Sequence, residues 1–462
     1  MSLPERVCRP APPHAERLST REASATAEVR AVSADALKEL HRRLLRGDGT
    51  ELALVDARQP EQFARRHLLY AANLPTSHVR LEAAARIPRA GTPLVVCDDG
   101  GGEAEAAALG LAALGYSDIA VLDGGIDAWA AAGGQLYAGI NVPSKLFGEL
   151  VEAHFGTPHV PATELASWLT EGRDGHGRDV AVVDARTGRE FRRMSIPTAR
   201  SCPGGELVRR MHELAGNAAT VVVNCAGRTR SIMGAQSLRA AGMDRVVALK
   251  DGTMGWELAG FELEHGCDEA IPEPSAQGRQ RASAAAAAVA ERCGVRTVDA
   301  ARLQEWRADT TRTTYLMDVR TPEEFAAGHL RDATSAPGGQ LVQATDEYLA
   351  TRGGRVVLAD HDGIGATMTA SWLMQMGWDA WVLEPDWLPD GRDAPDGDDA
   401  CTGLTAGDDG EAERARRSRQ PPLPYDPDDA CVARAAMQAY LDWEVALPEL
   451  YAADDLAEFR LR

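Results

Sequence analysis

Apolar residues in this chain gather into short runs that end on an acidic residue or a cysteine, and the runs recur. LALVD ends at Asp56, VAVVD at Asp184 and TYLMD at Asp318. A second set follows: PLVVC to Cys97, TVVVNC to Cys225 and RVVLAD to Asp360. Continuous apolar runs of this length predict strands buried on both faces of parallel sheets. After each second run comes a helical stretch ending in AALGY, RAAGM or MQMGW, then a third run, IAVLDGG, VVALKDG or AWVLEPD. Strand, loop, helix and strand at this spacing predict α/β units. The fold class is three tandem units, each a mostly parallel sheet flanked by helices, with a C-terminal helical tail.

The spacing supports a true repeat. The three aspartates open Asp-x-Arg phrases and lie 128 and 134 residues apart. A proline stands nineteen residues beyond each, at Pro75, Pro203 and Pro337, and the last two begin PGGELV and PGGQLV. The second runs end 41, 41 and 42 residues after the aspartates, at Cys97, Cys225 and Asp360. The units are therefore expected at residues 31–138, 161–266 and 293–390. Residues 1–30 are rich in Pro, Ala and Arg and predict disorder. Residues 139–160 predict a helical bridge, 267–292 a linker with an alanine-rich helix, 391–430 a flexible acidic linker, and 431–462 a helical tail. Helical periodicity through Val432, Ala436, Ala439, Tyr440, Trp443 and Leu447 predicts that this tail docks back on the body.

Composition narrows the function classes. The 462 residues carry a formal net charge of -20 and no basic stripe, which argues against nucleic-acid partners. No apolar stretch approaches a membrane span, and no secretory h-region opens the chain. Eight cysteines lack the spacing of a disulfide framework or a zinc site. No metal, no cofactor and a cytoplasmic location are expected.

The chemistry concentrates in VVVNCAGRTRS. Cys225 ends a buried strand, and Ser231 stands where an N-cap of the next helix would sit, with Ile232, Ala235 and Leu238 on one face. A thiol wrapped by a loop that feeds a helix N-terminus meets backbone N–H groups and the positive end of the helix dipole. With Arg228 and Arg230 beside it, its pKa is expected to fall. This segment resembles the active-site loop of rhodanese-family sulfurtransferases, in which a cysteine begins a six-residue loop and carries a persulfide. Related phosphatases use a loop one residue longer. In the third unit DVRTPEEFAAGHL is also close to the family's usual motif.

The resemblance implies Cys225 as nucleophile and Arg230 as loop stabiliser or anion clamp. Arg228 is expected to point into the entrance and meet the substrate. Ala226, Gly227, Thr229 and Ser231 would form the remaining cradle, Gly227 by turning successive N–H groups inward. Cys202 stands before the proline phrase, where a second thiol could resolve the persulfide or be a packing residue. Trp256 could wall the pocket, although Trp129 occupies the same place in the first unit. Arg186 recurs in all three units and is expected to be structural. Cys97, in CDDGGGE, has three carboxylates nearby and no arginine, and is expected to be inert. Asp360 removes the nucleophile from the third unit outright.

The function expected is sulfane-sulfur transfer from thiosulfate or a similar anion through a Cys225 persulfide to a thiol, cyanide or an acceptor protein. A sulfur-carrier or regulatory scaffold is the alternative, and a phosphatase is disfavoured by loop length. The three units are expected to form one rigid body, with the first and third flanking the entrance to Cys225.

Overall fold

The structure is a computed structural model and describes residues 29–214, 219–385, 404–405, 430–451 and 459–462. The N-terminal segment and nearly all of the acidic linker lie outside the described residues. Three tandem α/β units are present, each built on a mainly parallel sheet.

In the second unit the strand order is His159–Val160, Val246–Leu249, Thr220–Asn224, Val180–Asp184 and Arg200–Ser201. The third repeats it with Arg296–Val298, Asp379–Leu383, Arg355–Ala359, Thr314–Asp318 and Thr334–Ser335. The first has Arg30–Val32, Ile119–Leu122, Leu94–Cys97, Leu52–Asp56 and Ala72–Asn73 in the same order. Its sheet gains one more strand, Thr351–Arg352 of the third unit, antiparallel to Leu52 and Ala53. The central strands Leu52–Asp56 and Thr220–Asn224 are buried at every position, because helices cover both faces.

The units share their cores. Phe147 and Val151 of the bridge helix Val142–Phe155 cluster with Ile232 and Met233 of the second unit and Tyr315, Met317 and Trp372 of the third. The alanine-rich helix Ala276–Cys293 lays Ala282, Ala286 and Val289 against Leu207, Leu238 and Met368. The first and third units are joined by polar contacts as well. Tyr315 donates to the Arg86 carbonyl at 2.6 Å, and the Thr313 amide donates to Glu51 at 2.6 Å.

The two PGG phrases meet face to face. A Cβ on Gly339 would lie 3.1 Å from Gly204 Cα, and one on Gly205 would lie 3.3 Å from Gly338 Cα. Only glycine lets two backbones approach this closely. That is why the phrase is nearly identical in these two units.

The tail forms the helix Ala430–Tyr451. Its buried positions are Ala433, Leu441, Glu444 and Leu447, whereas Val432 is exposed. The docking face is thus rotated from the one read off the apolar pattern, and it includes a carboxylate. No helix among the described residues is long and apolar enough to cross a membrane.

Candidate active site

The site is framed by a buried ion pair common to all three units. Arg186 donates to Asp184 through Nε at 2.9 Å and Nη2 at 2.8 Å, and to the Met194 carbonyl at 2.6 Å. Arg58 with Asp56 and the Arg66 carbonyl, and Arg320 with Asp318 and the Gly328 carbonyl, repeat it. The pair ties the strand end to the following helix, so Arg186 has its donors committed to the frame. Asn224 extends the frame, donating to Asp184 at 2.7 Å and to Thr253 at 3.1 Å.

Cys225 follows the strand Thr220–Asn224 and is 2 % exposed. Its carbonyl accepts from the Thr253 amide at 2.8 Å and hydroxyl at 3.0 Å. A Cβ on Gly252 would fall 2.5 Å from that carbonyl, and Gly252 has φ +56°, so the loop after the last strand must be glycine here. The sulfur lies 3.5 Å from Ser231 Oγ, which in turn donates to the Arg228 carbonyl at 2.8 Å. Ser231 is not the N-cap. The helix begins at Thr229, and the tight loop brings the serine into its first turn, over the sulfur.

The thiol pKa is raised, contrary to the expectation from the loop alone. Burial pushes it up and Glu444 adds to this, while the Arg230 charge and hydrogen bonding with the Ser231 hydroxyl and amide pull it down. In this closed arrangement loss of solvent outweighs the cations.

Neither arginine is a free anion clamp. Arg228 does not point into an entrance. It donates to Glu149 at 2.7 and 2.8 Å, to Asp251 at 2.9 Å and to Glu152. Two of these carboxylates come from the bridge helix, an element whose contacts cannot be read from the loop sequence. Arg230 is held by Glu190 at 2.9 and 2.8 Å and by the Gln340 side-chain oxygen at 3.3 Å. Burial works to raise the Glu190 pKa, but the charge and hydrogen bonds of Arg230, with those of Thr187, hold it at about 2. Arg230 remains close enough to act on the Cys225 charge.

The comparison of the three loops corrects the place of Cys97. Cys97 pairs with Asp56 in the sheet, as Asn224 pairs with Asp184 and Ala359 with Asp318. Cys97 is therefore the last strand residue, and the position matching Cys225 belongs to Asp98. The Asp98 carbonyl accepts from the Ile126 amide at 2.8 Å, as Cys225 does from Thr253. The Asp98 carboxylate accepts from the amides of Gly100, Gly102 and Ala104 at 2.9, 2.9 and 3.1 Å. In the third unit Asp360 accepts from Gly363 at 2.6 Å and Ala366 at 2.9 Å. Both loops thus fill their anion cradle with their own carboxylate. Cys97 itself is fully buried, and burial first, then Asp56 and Asp98, push its thiol well up.

Cys202 and Trp256 both take the packing reading of the two that the sequence left open. Cys202 is fully buried among Val183, Leu207, Ala282 and Ile364, a packing place, and burial raises its pKa. Trp256 packs its ring at a tilt against Phe261, centroids 4.7 Å apart, and donates to the Glu262 carbonyl, as Trp129 donates to that of Gln135. It is buried in one core with Phe191 and Leu249.

The bridge helix and the C-terminal helix pack against the Cys225 loop. Gly148 meets Thr229, where a Cβ would lie 3.0 Å from Cγ2. The Thr229 hydroxyl donates to Glu444 at 2.5 Å. Tyr440, Leu441 and Glu444 stand 3.4, 3.7 and 3.6 Å from where a Gly227 Cβ would be. Sequence reasoning missed Glu444, Glu149 and the lysine between them. Lys145 is buried under the rings of Tyr440 and Trp443 at 5.0 and 4.9 Å, and burial lowers its pKa to about 8. Glu190 had a visible signal, the T-x-x-E capping box from Thr187.

The rhodanese-like domain model matches residues 36–132, 164–259 and 299–388. The chain belongs to the rhodanese family. It is a multidomain member, with three such domains in tandem. Its structure is similar to that of a thiosulfate sulfurtransferase from Pseudomonas aeruginosa, with 38% identity, TM-score 0.81, and 94% of this chain and 100% of that one covered. Curated tRNA uridine(34) hydroxylases also match. The protein from Xanthomonas campestris is 31% identical over 104 residues, 21% of this chain and 41% of the relative. That from Xylella fastidiosa is 30% identical over 115 residues, 24% of this chain and 44% of the relative. The chain spans less than half the length of these curated relatives.

Proposed function

We propose that the protein is a rhodanese-type sulfurtransferase that carries sulfane sulfur as a persulfide on Cys225. The observation that carries this reading is the contrast between equivalent loop positions. Cys225 offers a sulfur to the first turn of the helix Thr229–Ala240, whereas Asp98 and Asp360 fill the same place in their units. The full-length likeness to a thiosulfate sulfurtransferase supports thiosulfate or a similar anion as donor.

In the first half-reaction the Cys225 thiolate attacks the outer sulfur of thiosulfate. The sulfur–sulfur bond of the donor breaks, and sulfite leaves with its electron pair. In the second, an acceptor thiolate or cyanide attacks the outer persulfide sulfur and returns the Cys225 thiolate, leaving an acceptor persulfide or thiocyanate. The Ser231 hydroxyl and amide lie beside the sulfur; once the thiol is deprotonated, the hydroxyl turns its proton from the Arg228 carbonyl to the thiolate, and Arg230 adds positive charge. Arg228 anchors the bridge helix. The acceptor is a thiol on a small molecule or a protein, and the reaction takes place in the cytoplasm.

Intact-protein mass after thiosulfate treatment tests the reading. One added sulfur per chain, removed by cyanide and absent from Cys225→Ala, is expected. Cyanide-removable sulfur on the Cys225→Ala protein would overturn it.

A further inference from the structure

We propose that Glu444, on the C-terminal helix outside the three repeated units, is a specificity-determining residue that disfavours doubly charged sulfur donors relative to singly charged ones. The inference rests on the sulfurtransferase reading and adds to it a residue that no repeat unit contains.

Three observations carry it. First, Glu444 is 1 % exposed and lies against the nucleophile's loop. One oxygen accepts from Thr229, and the other sits 3.6 Å from where a Gly227 Cβ would be. Second, that other oxygen is buried and makes no hydrogen bond of good geometry among the described residues, although the Tyr440 phenol stands near it. Third, the remaining carboxylates around the loop are each met by a guanidinium. Arg228 takes Glu149, Glu152 and Asp251, and Arg230 takes Glu190. Glu444 has no such partner. The cation on its side, Lys145, is placed over the rings of Tyr440 and Trp443, beyond contact with the carboxylate, and Glu444 is the first of the charges that support its ammonium against burial.

Lys145 offsets part of the Glu444 charge from behind, but the oxygen turned toward Gly227 has no cation in contact, so its field reaches the nucleophile's loop with little water to screen it. Its repulsion scales with donor charge, so a dianion feels about twice the penalty, in free energy, of a monoanion. The loop amides and Arg230 attract any anion, and Glu444 grades that attraction by charge. The pocket is then tuned to donors with less charge than thiosulfate, such as a thiosulfonate or a persulfide.

The test uses the full-length protein with thiosulfate, which carries two charges, and benzenethiosulfonate, which carries one. Glu444→Gln should lower the thiosulfate KM about fivefold and the benzenethiosulfonate KM about twofold, with kcat changed less than about twofold. Glu444→Asp should keep the wild-type ratio of the two KM values. A ratio unchanged in Glu444→Gln overturns the proposal, since a merely structural role would move both donors together. Should that variant fail to fold, the wild-type protein still decides. Alkylation of Cys225, followed by peptide mass, should show an iodoacetate-to-iodoacetamide rate ratio at least about fivefold below that of free cysteine. A ratio equal to or above that of free cysteine overturns the proposal. The alkylation readout needs no turnover, so an inactive wild-type protein would refute the sulfurtransferase reading and leave this test standing.

Discussion

Asp360 accepts the Ala366 amide at 2.9 Å, six residues along its loop, and Cys225 faces Ser231 across the same interval. The third unit therefore keeps the architecture of an anion cradle and seals it with its own carboxylate. Replacing Asp360 by alanine should leave the Gly363 and Ala366 amides without an acceptor and cost about 1–3 kcal/mol in urea unfolding. Sulfate should restore part of that loss, more than it stabilises the wild type. Cys225 turnover should be unaffected. No sulfate rescue would contradict the cradle reading.

The same carboxylate predicts a pH dependence. Burial, then Asp362, raise the Asp360 pKa to about 6 against the Gly363 and Ala366 hydrogen bonds. The folded state thus holds this proton more tightly than the unfolded chain. The extra stability linked to this proton is present at low pH, declines as pH rises from about 4 to about 6, and is gone above, while the amide hydrogen bonds remain. Asp360→Asn should flatten that slope in unfolding experiments across the window.

Arg228 is predicted to matter for stability rather than for donor binding. Removing it leaves Glu149 and Glu152, one buried and one partly buried, beside Asp251 with no guanidinium. A loss of about 3 kcal/mol is expected for Arg228→Ala, with the thiosulfate KM of the folded fraction within about twofold of wild type. A KM rise of tenfold or more at unchanged stability would reverse the assignment.

Glu190 is the complementary case. Its pKa is held at about 2, so the stability it contributes is complete above the ordinary glutamate value and is lost as pH falls toward about 2. The Glu190 side chain is 34% exposed, which screens the pair. Glu190→Gln should therefore cost only about 1–2 kcal/mol at pH 7 and close to nothing near pH 2. It should also lower sulfur transfer, because Arg230 is then free to leave the Cys225 loop.

Thiol reactivity separates the loop cysteine Cys225 from the strand cysteine Cys97. Cys225→Ala should abolish thiosulfate:cyanide transfer, and Cys97→Ala should retain it within about twofold, as a buried packing change. With its pKa raised by burial, Cys225 in the resting protein should be alkylated by iodoacetamide at a rate that climbs through pH 9. A plateau reached below pH 7 would mean that the cations outweigh burial.

What the sequence determined by itself is what repeats along it. The apolar runs ending at Asp56, Asp184 and Asp318 defined three sheets, because a strand buried on both faces needs an unbroken apolar stretch. The identity of the Cys225 loop was legible because its chemistry lies within eleven consecutive residues. The place of Cys97 was not, because a one-residue shift at a strand end is visible only in the pairing of Cys97 with Asp56. The tertiary structure also decided how charges are spent. Arg228 looks free in sequence, but Glu149 and Glu152 reach it from a helix more than seventy residues earlier. Glu444 comes to the nucleophile from over two hundred residues later, through packing of a helix that belongs to no repeat. Local pattern encodes elements, whereas burial and ion pairing are set by which elements meet, and that decided which charges surround the Cys225 thiol.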